Sequence, residues 1–549
     1  MDAVGRGRYT SGMKLPQRLP LPCVFFFALL PLWGQDLPAS TPSVILDGGM
    51  AGTYDLQTKL STEELLGAAY SSDHLDLHLS LAMNNDKKFG SDTIYLSSGN
   101  DLGNYFLVDR GDVVLKGFGF NLQAGRFRPQ DEVDSPYSLV LNGTGKVLGG
   151  TGWDEVSSTL MNPQISSSNG LKLSYKAGPF TYSSEWISLN NQSNFGSVSA
   201  TPRAWQWVWN GTKYVQTGTG FPDRGTDVHN FVYQTGPWRV GIQDQSIYSG
   251  RNFDSEYFFS PVPQYFTEYL RSISGRPWTA NDQLDKYMVG FFVDFREADR
   301  DAYVQFQMAD FNLHFLDPSL FPNNPAKFAW SVGGHVANEW GRWGLFQAGA
   351  TKFMYEAMTV SQGSETVRDV GNSYYPDMVY NLNGTFVPID LQTSQIGYSN
   401  GENNLAFLAT WDRNFSEDRL HVGASLEFIL AGSNSSANPW QGISSTPVSE
   451  LGTQLLTDSV LEKVIQTEIR ADLAVQDWTF SVHLTAGVAF NVLQLRDAAG
   501  YVSDPNNSSL STLSSQIQVW TPSDQNQGIF TLVLGVKYSY DASAFFRPN

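Results

Sequence analysis

The sequence predicts an all-β protein, an antiparallel transmembrane β-barrel of roughly sixteen to twenty strands, with about eighteen the preferred count. Three observations lead there. Apolar and polar side chains alternate with period two over runs of about ten residues, as a wall between lipid and water requires. A basic and then apolar segment opens the chain in the manner of an export signal. One cysteine occurs in 549 residues, and no apolar run approaches the ~20 residues of a spanning helix.

Arg6, Arg8, Lys14 and Arg18 form the basic part of the signal and Val24 to Trp33 its apolar core. Met13 offers a second start, and cleavage is expected near Gly34 to Asp36, so residues 1–35 are read as a signal peptide and 36–549 as one barrel domain. Losing four basic groups and Asp2 would take the net charge from −19 to about −22. So acidic a chain has no basic surface for phosphates, and nucleic acid is excluded as a partner. Cys23 lies within the signal, which leaves no disulfide for the exported form. The Asn-x-Ser/Thr triplets at Asn142, Asn191, Asn210, Asn383 and Asn414 are chance matches in an Asn- and Ser-rich chain. Charged residues make up 16% and aromatics 13%, against ~25% charged in soluble domains. Mean hydropathy is −0.25, because lumen residues cancel lipid-facing ones in any window average.

The strands follow in order. Leu75, Leu77 and Leu79 alternate with His74, Asp76 and His78. Phe118, Phe120 and Leu122 lead into Gly125-Arg126-Phe127, and Leu171, Leu173 and Tyr175 interleave with Lys172, Ser174 and Lys176. Tyr287 to Phe295 and Phe328 to Val336 each line one face of a further strand, and Ala302 to Phe315 changes register near Ala309-Asp310, which predicts a bulge. Arg419, His421, Ser425 and Glu427 oppose Leu420, Val422, Leu426 and Phe428. Glu468, Arg470 and Asp472 oppose Ile469, Ala471 and Leu473, while His483 opposes Val482 and Leu484. Leu532 to Tyr540 closes the series. Ser459 to Ile465 reads as a helical turn before its strand.

Polar stretches near 143–168, 190–226, 249–283, 355–402 and 431–460 are expected external loops, and 176–179 and 412–418 short periplasmic turns. Trp186, Tyr248, Trp411 and Tyr538 to Tyr540 stand at strand ends, where interfacial girdles would lie. A soluble sandwich with its apolar rows inward is the competing fold.

Faces bearing several ionisable groups should meet water. The lumen-facing candidates are His74, Asp76, His78, Lys172, Lys176, Arg419, His421, Glu427, Glu468, Arg470, Asp472 and His483. His74-x-Asp76-x-His78 does not make a metal site by itself, since strand residues two apart lie ~7 Å apart. No metal and no cofactor is expected. H-E-x-x-H and P-loop patterns are absent from the sequence, so no catalytic residue is assigned and no enzyme is expected. Between 281 and 343, Asn281, Asp282, Gln305, Gln307, Asp310, Asn312, Glu339, Trp340 and Arg342 mix amides, charges and aromatics. That mixture suits glycan contact, and on composition alone it suits the ion pairs of a filled lumen somewhat better.

The run from Asn281-Asp282 through Tyr303-Val304-Gln305-Phe306-Gln307 and Asp310 into an apolar and then a Gly-rich strand resembles the capsule-assembly Wzi family. Gly117-Phe118-Gly119 to Gly125-Arg126 is similar to strands of that family and of porins. The resemblance covers about residues 100–355 and implies an eighteen-stranded, internally occluded barrel that helps attach surface polysaccharide to the cell. That family's N-terminal helical bundle has no counterpart here.

The expectation is therefore an integral outer-membrane barrel of a diderm bacterium. Its partners would be outer-membrane lipid, the barrel-assembly machinery during biogenesis, and surface polysaccharide. Two alternatives stand beside it: an open porin for small hydrophilic solutes, and a soluble secreted carbohydrate-binding β-protein.

Overall fold

The computed structural model describes residues 43–543 apart from 57–58, 85–104, 144–166, 190–205, 211, 213, 218–222, 272–284, 311–324, 356–358, 363–364, 369–370, 375–378, 383–384, 389–394, 417–418, 435–451 and 498–517. The chain divides into Met1–Thr41 and Pro42–Asn549. The first unit lies outside the described residues, as do the signal peptide expected over 1–35 and the glycan candidates Asn281, Asp282 and Asn312.

Eighteen strands form one antiparallel sheet. They are β1 (Ser43–Asp55), β2 (Lys59–Ser71), β3 (Leu75–Asn84), β4 (Tyr105–Gly117), β5 (Phe120–Phe127), β6 (Ser168–Ala177), β7 (Phe180–Ser188), β8 (Arg224–Thr235) and β9 (Trp238–Ser249). The others are β10 (Lys286–Arg296), β11 (Arg300–Asp310), β12 (Lys327–Asn338), β13 (Gly341–Ala350), β14 (Asn404–Phe415), β15 (Leu420–Ala431), β16 (Glu462–Val475), β17 (Trp478–Phe490) and β18 (Gln527–Asp541). Each strand pairs with the next, and β18 pairs with β1 from Asp541↔Ile45 to Thr531↔Asp55, so the sheet closes without an edge. Closure is what lets a sheet satisfy all its backbone groups in hydrocarbon.

Short turns gather at one end. Gly178-Pro179 and Gly236-Pro237 put glycine at φ 59° and 55° ahead of a proline, the glycine-first pattern of a two-residue hairpin turn. Long connections gather at the other end and include the five stretches expected as external loops. Those after β3, β11 and β17 are also long. Four small ribbons rise from the long connections: 206–209 with 214–217, 359–362 with 365–368, 379–382 with 385–388, and 493–497 with 518–522. The register shift expected near Ala309-Asp310 falls between Met308 and Asp310. A second falls between Ser80 and Leu81. Ser459 to Ile465 does not form the expected helical turn: residues 458–460 bend and β16 starts at Glu462, where pairing with Ala431 captures the backbone.

Directly paired residues share a face, so the register can be followed around the ring. One face carries Glu63, His78, Asp112, Lys172, Asn230, Gln243, Gln305, Ser331, Glu427, Arg470 and His483. The other carries the apolar rows, which stand exposed: Leu60 67%, Leu66 64%, Leu345 73%, Leu426 57% and Leu534 53%. These rows do not lie beneath a second sheet, which overturns the soluble-sandwich alternative. The apolar face is outward and the polar face lines a lumen, as in a membrane barrel.

The aromatic girdle is only partly where expected. Trp411 pairs with Trp343 at 6.2 Å and Tyr538 with Trp478 at 4.8 Å between ring centres, all near the short-turn end. Tyr248 is fully buried and Trp186 is half-buried, because an external segment covers both.

Candidate functional site in the barrel lumen

The lumen is not empty. After β5 the chain turns inward, and residues 128–143 pack against the polar face of strands on the far side. Locally this segment is stapled by its own side chains. The Asp131 carboxylate accepts from the backbone N–H of Val133 at 3.0 Å, Val140 at 2.8 Å and Leu141 at 3.1 Å. Ser138 Oγ accepts from Ser135 N and donates to the Val133 carbonyl. Short oxygen-bearing side chains that bond to nearby backbone are what fold such a compact loop. Its apolar residues Val133, Tyr137, Leu139, Val140 and Leu141 are then forced outward from the loop. They join Val228, Met288, Phe292, Phe346, Ala348 and Leu408 of β8, β10, β13 and β14 in a core inside the barrel.

Four wall side chains fix the loop. Gln243 and Gln305 donate to Asp131 at 2.9 and 3.1 Å, and Gln305 Oε1 accepts from Leu139 N. Tyr137 donates to Glu427 Oε1 at 2.7 Å, and Glu132 pairs with Arg239. Burial pushes the Asp131 carboxyl above its ordinary range although all these donors pull it down, and it pushes Glu132 up as well. The loop before β14 closes over the same core. Tyr374 donates to Asn142, Asn142 donates to the Gln395 carbonyl, and Arg224 reaches the Gly371 and Ser373 carbonyls. Gly397, at φ 83°, brings its backbone against the Leu139 carbonyl, where a Cβ would collide.

The inserted loop fills the β8–β15 side and leaves a cavity of about 630 Å³ against β1–β6, lined by Asp47, His78, Arg110, Gln123, Arg128 and Lys172 among others. Here cations stand toward the space and their carboxylates lie beneath them. Lys172 is 2.7 Å from Glu185, Arg110 is 2.6 Å from Asp112, and Arg128 is 3.2 Å from Asp109. Asp112 also accepts from Gln123 and abuts His78. The side chains of Glu185 and Asp112 have no exposed surface, while those of Lys172, Arg110 and His78 keep about a quarter of theirs.

The remaining lumen candidates divide by position. Asp76 binds Lys116 at 2.6 Å near the short-turn end of β3. His74 and Arg419 sit in short turns, off the strands, and are exposed, as is Lys176 at the end of β6. On the opposite wall, Arg470 binds Asp472 at 2.7 Å and Ser481 donates to Asp472. His421 lies between Asp412 and Asp472, His483 meets Glu468, and Gln466 donates to Glu427. Among the described residues no three His, Cys, Asp or Glu side chains are placed to share a metal ion.

The described glycan candidates do not assemble. Gln305 and Gln307 are fully buried in the lumen wall, Gln305 holding the inserted loop and Gln307 donating to Gln245. Glu339 and Trp340 occupy a short turn at the other end, and Arg342 beside them binds Asp301 at 2.7 Å. Asp310 pairs in register with Lys327 across the bulge. No signal in the sequence marked 128–143 as an insert. The nearest hint is Leu139-Val140-Leu141, an apolar run without alternation just beyond a strand end.

The chain is thus a closed eighteen-stranded antiparallel β-barrel with an apolar outer face and a polar lumen, the build of an integral membrane barrel. No family model matches it, and no curated protein does. Solved structures do match in overall architecture. Pseudomonas aeruginosa OccD3 (OpdP) shares 10% identity, with 91% of each chain covered and a TM-score of 0.42. The outer membrane protein OprD from Pseudomonas aeruginosa shares 9%, with 92% of this chain and 95% of that one covered and a TM-score of 0.41. Acinetobacter baumannii OccAB1 shares 10%, with 92% and 97% covered and a TM-score of 0.41. The resemblance to the Wzi family is accordingly corrected. The matching structures bear the OprD and Occ names.

Proposed function

We propose that the protein is a porin that passes small hydrophilic solutes by passive diffusion, along the β1–β6 side of its lumen. The observation that carries this reading is the cavity beside the inserted loop, with the heads of Arg110, Lys172, His78 and Arg128 toward it and Glu185, Asp112 and Asp109 behind them. Such oriented pairs carry almost no net charge but present their positive ends to a solute, which favours small anions over cations modestly. The β8–β15 side contributes rigidity, since its apolar core and buried amides hold the insert in place.

The closing strand, with Tyr540 opposite Leu46 of β1, offers the segment that barrel-assembly machinery would engage. Reconstitution of the purified barrel in a planar bilayer under a KCl gradient tests the proposal. Stable current steps with a reversal potential on the anion side are expected; electrical silence would remove the porin reading.

A further inference from the structure

The segment after β9 lies against the outside of the barrel wall. It contains two helices, α1 (Ser255–Phe259) and α2 (Gln264–Arg271). Its root is clamped by Arg251, which binds Asp285 through both terminal nitrogens at 3.0 and 2.6 Å and Asp254 through Nε at 2.7 Å. From there it descends. Trp186 donates to the Asn252 carbonyl, Ser184 to Phe258, His229 through Nε2 to Tyr257, and Tyr182 to Ser260. Every one of these wall residues belongs to the outward face of β7 or β8. Between the levels of Ser188 and Tyr182 the strap travels six residues of strand, about 20 Å along it.

Two features of the strap need explanation. It covers Asp227, His229 and Asp244, which are fully buried although they sit on the outward, otherwise apolar, face. It also leaves large apolar side chains of its own uncovered: Phe253, Phe259, Val262, Tyr265 and Phe266 are exposed.

We propose that this strap lies within the outer leaflet and that lipid acyl chains cover its aromatic face. The wall it replaces is continuous with the apolar belt. Tyr265 packs against Tyr287 at 5.6 Å, on the outward row of β10 that continues through exposed Phe291 and Val293. Irregular backbone in hydrocarbon is tolerated only where its polar groups are satisfied by protein. The strap's non-helical bend is Ser260-Pro261-Val262-Pro263, where two residues have no N–H. Val262 N bonds to Ser260 Oγ, and the Ser260 carbonyl accepts from Tyr182. The Pro263 carbonyl accepts from Phe266 and Thr267, while Gln264 N donates to Asp244. Exposed Glu256 lies in the first turn of α1, nearer the external end, where headgroups would meet it.

The inference rests on the membrane reading and is tested by a measurement that separates the two. With Cys23→Ser removing the sole native thiol, nitroxide labels are placed singly at Phe253→Cys, Val262→Cys and Phe266→Cys, with Leu345→Cys on the bare wall of β13 as reference. Heat-modifiable migration confirms that each barrel is folded before reconstitution in phospholipid vesicles. Collision with oxygen is then compared with collision with a water-soluble nickel chelate. The expected result is that labels at Val262 and Phe266 favour oxygen as the Leu345 label does, with Phe253 shallower. Nickel contact at Val262 and Phe266, with Leu345 still in lipid, overturns the proposal and puts the strap in water. Loss of both contacts with spin–spin broadening also overturns it, by assigning the face to a second copy of the chain. Nickel contact at Leu345 itself would instead defeat the membrane reading.

Discussion

Replacing Asp131 with alanine should free the inserted loop and enlarge the conducting path. In the folded protein this carboxylate gathers five donors: three backbone N–H groups of the loop and the amides of Gln243 and Gln305. The two glutamines already bond to one another, and Gln243 to Asn230, so they can re-pair. The three backbone donors cannot, and each buried donor left without an acceptor costs about 1–3 kcal/mol. Against this, removal of a buried charge recovers part of a desolvation cost that already raises the Asp131 pKa. The balance is a loss of about 2–4 kcal/mol, or about thirty- to a thousandfold in the ratio of inserted to withdrawn loop. Asp131→Asn keeps one acceptor oxygen and should fall between. In single-channel records the alanine variant should show larger and more variable conductance, with unchanged heat-modifiable migration. Wild-type conductance in an intact Asp131→Ala barrel would refute the idea that this carboxylate holds the insert.

The same residue sets a pH dependence. Its folded pKa lies above its ordinary value, so the inserted state binds more protons than the withdrawn state in the window above about 3.8. Insertion should therefore weaken as pH rises through that window, and records at pH 4 should show fewer excursions to large conductance than records at pH 7. Tyr137→Phe removes a 2.7 Å bond to the Glu427 carboxylate; it should cost about 1.5–3 kcal/mol and increase open-channel noise. Lys172→Gln leaves Glu185 buried beside the cavity without its 2.7 Å partner, and the reversal potential should move toward cations. Gly397→Ala places a methyl group against the Leu139 carbonyl at φ 83°, so it should loosen the segment around 395–401 and raise the rate of limited proteolysis of intact barrels.

The barrel was legible because period-two alternation survives in each strand and closure then follows from the need to leave no edge. The alternation also placed His421, Glu427, Glu468, Arg470, Asp472 and His483 on common strand faces. It could not pair them with other strands, because Asp472 meets Ser481 and His421 only once the strand register is fixed. The Wzi-like reading failed for a related reason. Its motif Tyr303-Val304-Gln305-Phe306-Gln307 is a strand whose alternate residues divide between lumen and outer face, a pattern that any barrel strand can show. The insert at 128–143 has no periodic signal, since its structure comes from local Asx and Ser contacts and long-range packing. Tyr248 looked like a girdle residue because its strand position was right. What the sequence did not show is that residues 250–271 return over the outer wall and bury its hydroxyl against Asp227.

The proposed solute path can be probed by thiol block. Single cysteines at Gln123, on the cavity wall, and at Ala348, within the packed side of the lumen, would be introduced into the Cys23→Ser background. A charged methanethiosulfonate reagent would then be added to single channels. Stepwise current reduction at Gln123→Cys and none at Ala348→Cys is expected. Block at Ala348→Cys alone, or no channel current from any folded barrel, would contradict a passage along β1–β6.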